Sequence, residues 1–289
     1  MGADRAVVAV ERGSAGHPFG DDRKVVEGIV YRYRTGIPWR DLPREVFGPW
    51  QTVWKRHRRY AGDGTWDRVL GRLLAEADAA GKVGWRVSVD ATITRAHQHA
   101  TNTTRPEQDT GAVSNYKNQP LAECEPAGHG IGRSRGGLST KIHAGVDGHG
   151  RPLALVVTGG QRNDGAALET VLADIRIPGL HGGRARTRPE AVIADRAYSA
   201  AACRAMLHKR GITVVIPQKS DQIAARKRRG RKGGRPPGLD VEACKGSNVA
   251  ERSFALAKQW RALATRYDKL AITYRAAVVL SACITWTRI

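Results

Sequence analysis

With 289 residues, 41% of them hydrophobic, the chain can bury a real core, as one large domain or two smaller ones, which excludes a disordered tail. Its 48 lysines and arginines against 27 acidic residues leave a formal charge of +21 and a pI near 10.6; a surplus that large favours a polyanionic partner, nucleic acid first, because each phosphate neutralised releases condensed counterions. Cys124, Cys203, Cys244 and Cys283 lack the spacing of a zinc site, the N-terminus lacks an apolar signal core, and the longest apolar stretch, 276–286, is too short to span a bilayer, so the expected protein is soluble, cytoplasmic and nucleoid-associated, with reduced thiols.

In chain order, residues 1–22 carry weak periodicity and stay unassigned. Residues 23–82 predict a helical DNA-binding domain. Val25, Val26, Ile29, Val30 and Tyr33 fall at helical spacing, and Thr35 and Gly36 stop the first helix. After Gly48 and Pro49 a second helix puts Trp50, Val53, Trp54 and His57 on one face and Lys55, Arg56, Arg58 and Arg59 on the rest; Trp66, Val69, Leu70, Leu73, Leu74 and Ala77 mark a third. Three short helices with one basic member suit a helix-turn-helix unit whose cations meet phosphates, and equally a helical cap with a solvated basic face.

Residues 83–289 change character. From Trp85 the period becomes two, with Trp85, Val87, Val89, Ala91 and Ile93 alternating with Arg86, Ser88, Asp90 and Thr92, so Asp90 falls mid-strand on the polar face. A polar loop over 96–135 follows, then a strand over 138–146, the turn DGHG, a strand PLALVVT, a helix GAALETVLADI, the strand VIAD, a helix capped by Ser199 and closed by Gly211, and the strand TVVIP. A second polar loop spans 219–246, and two helices, roughly 248–268 and 272–287, end the chain. The first has a seam of Val249, Ser253, Leu256, Trp260, Leu263 and Tyr267. The fold class expected is α/β: N-terminal helices, then a mixed sheet flanked by helices.

Asp195 ends the apolar run Val192–Ala194, where a residue depleted in strands calls for a reason; the bland one is that it starts a loop and caps it. Asp90 and Glu251 are the other candidates, and Lys258 lies two turns beyond Glu251 on the same side of its helix. Clustered carboxylates are what phosphodiester chemistry needs, since two Mg²⁺ ions about 3.5–4 Å apart activate the attacking oxygen and stabilise the leaving one.

RTGIPWRDLP (34–43), FGPWQTVWKRHRRY (47–60), SVDAT (88–92), GRSRGGLSTKIHA (132–144), DRAY (195–198), GRPPG (234–238) and ERSFALAKQWRALATRYDK (251–269) resemble the signatures of the DDE insertion-sequence transposases, in the group usually called IS five. The resemblance implies an RNase H-like catalytic domain with Asp90, Asp195 and Glu251 as metal-binding triad, two Mg²⁺ ions with Mn²⁺ able to substitute, and Lys258 on transposon-end DNA. The activity implied is binding of terminal inverted repeats, cleavage of the 3′ ends and their joining to target DNA, by a homodimer on double-stranded DNA. Arg133, Arg135 and Lys141, and the basic run of Arg226, Lys227, Arg228, Arg229, Arg231 and Lys232, are the further cations expected on phosphates, the run reading almost equally as a disordered, solvated stretch of charge. Two departures stand out: Cys244 and Ser247 replace the Tyr and Arg expected before the glutamate, and the N-terminal end looks shortened. They leave two other readings open, a decayed relative that only binds DNA and a structure-specific nuclease.

Overall fold

The computed structural model describes residues 22–101, 125–245 and 248–288. Residues 1–21 of the unassigned N-terminal segment, most of the 96–135 loop, Cys124 and Ser247 therefore lie outside the described residues.

Helix α1 (Asp22–Thr35) buries Val25, Ile29 and Tyr33 and ends where Gly36 turns to φ +74, a left-handed conformation that glycine adopts without strain. Pro49 precedes α2 (Trp50–Gly62), and α3 (Thr65–Ala79) starts after Asp63, whose Oδ1 accepts from the Thr65 amide and hydroxyl. These helices do not stand apart. Helices α2 and α3 pack against the long C-terminal helix, and one continuous apolar core runs from Val25 through the sheet to Trp286.

The sheet is built on β1 (Arg86–Ala96). On one side β1 pairs antiparallel with β3 (Gly137–Val146), Asp90 opposite Ala144; the other edge of β3 is shared by short β2 (Gly132–Ser134) and by β4 (Pro152–Gly159). On its other side β1 runs parallel to β5 (Ala191–Ala194), which pairs parallel with β6 (Thr213–Val215). The order β4-β3-β1-β5-β6 is the mixed, RNase H-like sheet expected, and a two-residue β7 (Thr265–Arg266) pairs with the end of β1. Helices α4 (Asp164–Asp174) and α5 (Ala201–Lys209) connect the strands, α6 (Ser220–Arg228) follows β6, and α7 (Asn248–Lys258) and α8 (Ala271–Trp286) close the chain.

Four expectations need correction. The strict alternation along β1 fails, because Ser88 and Thr94 are buried and Ile93 is 46% exposed. The turn 261–264 covers Thr94, whose hydroxyl donates to the Leu263 carbonyl. The helix expected over 248–268 stops at Lys258: Trp260 is extended, its indole buried and stacked under Arg34, and Leu256 of the predicted seam is 51% exposed while Phe254 is buried instead. Ser199 caps nothing; Asp195 caps a 3-10 turn over Arg196–Tyr198, and α5 begins after Ala200. The two polar loops also hold structure: Gln98–Thr101 forms a single helical turn and Ala127–Gly130 a tight turn with positive φ at Gly128, His129 and Gly130 in the first, and Ala224, Ala225 and their basic neighbours favour α6 in the second, with Gln222 accepting from the Lys219 amide.

Two buried histidines carry a pH signature. Burial holds His57 at about 4, the Asp268 charge opposing this in part; burial likewise holds His143 at about 4. Each unfolded imidazole takes its proton near 6.5 and each folded one only near 4, so the stability gained by keeping them neutral is present above pH 6.5 and is lost as pH falls towards 4. The loss amounts to on the order of 3 kcal/mol per fully buried histidine at about 1.4 kcal/mol per pH unit. Urea midpoints at pH 7, 5.5 and 4.5 should fall in that order, and a flat profile contradicts the assignment.

Candidate active site

The parallel pairing of β1 with β5 sets Val89 level with Ala194. One residue further on, at the C-terminal end of β5, stand Asp90 and Asp195, and the alternation of a strand puts Asp195 on the same face as Ile193. Asp195 does what its position between strand and loop suggests, its Oδ1 accepting from the Ala197 amide at 2.9 Å. Asp90 Oδ1 accepts from the Ala91 amide at 2.8 Å. In each carboxylate one oxygen is committed to a backbone N–H, which orients the other.

Glu251 lies in the first turn of α7, which packs across β1 and β3. Burial raises the Asp90 carboxyl above its usual range, the Ala91 amide opposes this, and the charges of Asp195, Glu251 and Asp164 raise it further. Four carboxylates from two strands and two helices thus share one field. Asp164 is the member that sequence reading missed, because Asn163–Asp164 at a helix start reads as a cap, and Asn163 does accept from the Ala166 amide.

Among the described residues, no three His, Cys, Asp or Glu side chains form a ready-made metal cage. The donor set nonetheless fits Mg²⁺, a hard cation that is ordinarily held by one or two carboxylates together with substrate phosphates. A level pair with oriented oxygens and a third carboxylate on a neighbouring helix meets that need, and a close all-protein cluster of three anions is not required.

The expected cations lie on five elements. Lys258 reaches back to β1, donating to Thr92 Oγ1 at 2.6 Å and the Ile93 carbonyl at 3.1 Å, with its pKa lowered by burial; Thr92 follows Asp90 by two residues along β1. Lys141 is engaged by Asp164 Oδ1 and the Arg162 carbonyl, both at 2.8 Å. On α2, Arg56 pairs with Asp22 at 2.8 Å, Arg58 lies over Trp54, Arg59 approaches Asp63 at 3.7 Å, and Lys55 is exposed. Arg133 and Arg135 are exposed on the β2–β3 hairpin. Arg228, Arg229 and Arg231 are exposed at the end of α6 and in the turn after it.

Two further side chains lie near the patch. Tyr198 is buried with no hydrogen-bond partner for its hydroxyl among the described residues, and burial, then Asp164, Asp90 and Asp195, push its pKa up. Cys244 stands where a tyrosine was expected and packs with Ala243 against Ala191, Ile193 and Val215.

Comparison with known proteins agrees on kind. Residues 6–70 match the family described as "Putative transposase of IS4/5 family" and residues 82–286 the family described as "Transposase DDE domain". An uncharacterized 16.2 kDa protein of insertion element IS402 from Burkholderia cepacia is 39% identical over 77 residues, 26% of this chain and 52% of that one. The putative transposase for insertion sequence element IS402, from the same organism, is 33% identical over 147 residues, 50% of this chain and 61% of that one. An uncharacterized protein, y4sN, from Sinorhizobium fredii is 36% identical over 88 residues, 30% of this chain and 66% of that one, so the chain spans about half to two thirds of the length of these relatives. A solved structure, a pre-cleavage Mos1 transpososome, aligns over 96% of this chain and 81% of that one at 14% identity and a TM-score of 0.26, a superposition too loose to bear on the site. Among the described residues no helix is long and apolar enough to cross a membrane.

Proposed function

Because the chain belongs to the family of the transposase DDE domain, whose pattern covers residues 82–286, we propose that it is a DNA transposase that binds the terminal inverted repeats of an insertion sequence, cleaves the strand ends and transfers them to target DNA. The observation that carries this reading is the parallel β1–β5 register that brings Asp90 level with Asp195, with the charge of Glu251 reaching Asp90 from α7.

In this reading Asp90, Asp195 and Glu251 are the residues that would hold divalent metal, Mg²⁺ by preference. Bound there, the metal supplies positive charge to both the attacking and the leaving oxygen of an in-line displacement. The chain's own part is to hold the carboxylates still: the Ala91 and Ala197 amides fix two of them. Lys258, anchored on Thr92, adds a cation beside the phosphate that would enter. The exposed cations Lys55, Arg133, Arg135, Arg228, Arg229 and Arg231 serve the DNA backbone, and a homodimer brings two ends together.

A second reading has one observation in its favour. Cys244 packs on Ile193, which shares a face with Asp195, so the hydroxyl expected at that position is missing from the carboxylate-bearing side of β5. A catalytically impaired relative that still binds DNA follows from that.

Incubation with Mg²⁺, a duplex bearing the repeats that flank the gene, and supercoiled plasmid separates the readings. Joined product is the expected result. Nicking without joining assigns a nuclease, and binding without either assigns the impaired relative.

A further inference from the structure

Arg184-Ala-Arg-Thr-Arg-Pro-Glu190 runs into β5 at the end opposite Asp195. Arg184, Arg186 and Arg188 are exposed and alternate with half-buried Ala185 and Thr187, so three guanidinium groups leave one side of the segment. With Gly211 this segment lines a cleft of about 700 Å³.

The cleft has a fixed backbone. Arg186 exchanges both main-chain hydrogen bonds with Ile177, at 2.8 and 2.9 Å; Arg210 donates to the Thr187 carbonyl at 3.1 Å; and the Glu190 amide donates to the Trp85 carbonyl at 2.9 Å. The Arg186 side chain belongs to that scaffold, lying over the Trp85 ring at 3.8 Å and pairing with Asp78 at 3.2 Å and with Glu190, the one carboxylate of the lining, at 3.6 Å.

Arg184 and Arg188 are different. Among the described residues neither has an acidic or carbonyl partner. The Arg188 guanidinium lies over Gly211, where φ is +66 and a Cβ would sit 3.5 Å from Nη1. Two uncompensated guanidiniums on a rigid, concave, positively charged wall call for a ligand with oxygen anions arrayed along a line, because the planar fork binds phosphate in bidentate fashion. Alternate residues of an extended chain advance about 6.6 Å, so Arg184 and Arg188 are roughly 13 Å apart. Measured along the duplex axis, that is about four steps of 3.4 Å per strand charge, far enough for the two guanidiniums to meet separate phosphates.

We propose that this cleft is a second DNA-backbone site. It is separate from the carboxylate patch, since the seven residues from Arg188 to Asp195 put roughly 20 Å of strand between them. The inference rests on the transposase reading, and it adds that the protein grips duplex DNA at both ends of β5.

The test uses the full chain with Arg184→Gln and Arg188→Gln together, leaving the structural Arg186 in place. Binding of a 40-base-pair duplex is titrated at several salt concentrations, and cleavage is measured on a repeat duplex too short to reach the cleft. The expected result is a log–log salt slope shallower by about 2, at about 0.9 per lost phosphate contact, with the thermal midpoint and short-duplex cleavage unchanged. A wild-type slope in the variant overturns the proposal while leaving the transposase reading intact. Failure of the wild-type protein to bind any duplex overturns both.

Discussion

Asp90→Asn, Asp195→Asn and Glu251→Gln are each expected to lower Mg²⁺-dependent cleavage by about 10³-fold or more while DNA binding stays within a few-fold of wild type. Each substitution keeps shape and removes one anionic metal ligand, and groups that act as a unit fail together when one is lost. Stability supplies the readout that separates a catalytic from a structural role. Asp90 is raised by burial and by its acidic neighbours, so its ionised form is held against a penalty in the fold. Neutralising it relieves that penalty, and Asp90→Asn should leave the thermal midpoint unchanged or slightly raised. A variant that loses activity and melts early would instead mark Asp90 as a structural residue. Full cleavage by any of the three variants removes that residue from the site.

How far the sequence carried this reading differs from element to element. Strand β5 was legible because Val192, Ile193 and Ala194 form a short apolar run that an acidic residue ends, and Asp195 caps a turn there, one residue beyond the Val89–Ala194 pair. Helix α7 was legible only to Lys258, since spacing of four and three continues through Trp260 and Leu263 although the chain bends there; periodicity records which residues are buried and not whether one helix buries them. Asp164 was hidden by its resemblance to a helix start. Arg184, Arg186 and Arg188 were hidden for another reason: a charged residue every second position looks like solvated chain until Trp85, Ile177 and Gly211, all distant in sequence, are seen to hold it. The cations of α2 show the converse, since Arg56 and Arg59 look free in sequence yet pair with Asp22 and Asp63.

Asp268→Asn is expected to cost about 3–5 kcal/mol of stability, because it removes the charge that compensates a buried guanidinium. Arg32 is 4% exposed and faces Asp268 Oδ2 at 3.5 Å; Tyr33 donates to the same oxygen at 3.0 Å and meets His57 Nε2 at 2.9 Å. The guanidinium also lies over the Tyr33 and Trp39 rings, at 4.5 and 4.9 Å, which keeps part of its stabilisation and favours the lower end of the range. At roughly 2–4 °C per kcal/mol the midpoint should drop by about 6–20 °C. Tyr33→Phe should cost less, about 1–3 kcal/mol, since it strands hydrogen-bonding partners and no net charge. A paired Arg32→Met, Asp268→Leu variant should recover much of the loss, as apolar replacement of a buried ion pair often does. Thermal melts of the three variants check this, and a midpoint unchanged by Asp268→Asn contradicts it. The network ties α1 and α2 to the residues just after β7, and β7 pairs with the strand that carries Asp90. Loosening it should therefore weaken coupling between the helices proposed to hold DNA and the carboxylates proposed to cut it, so Asp268→Asn at a temperature where it stays folded should lose cleavage rate more than affinity.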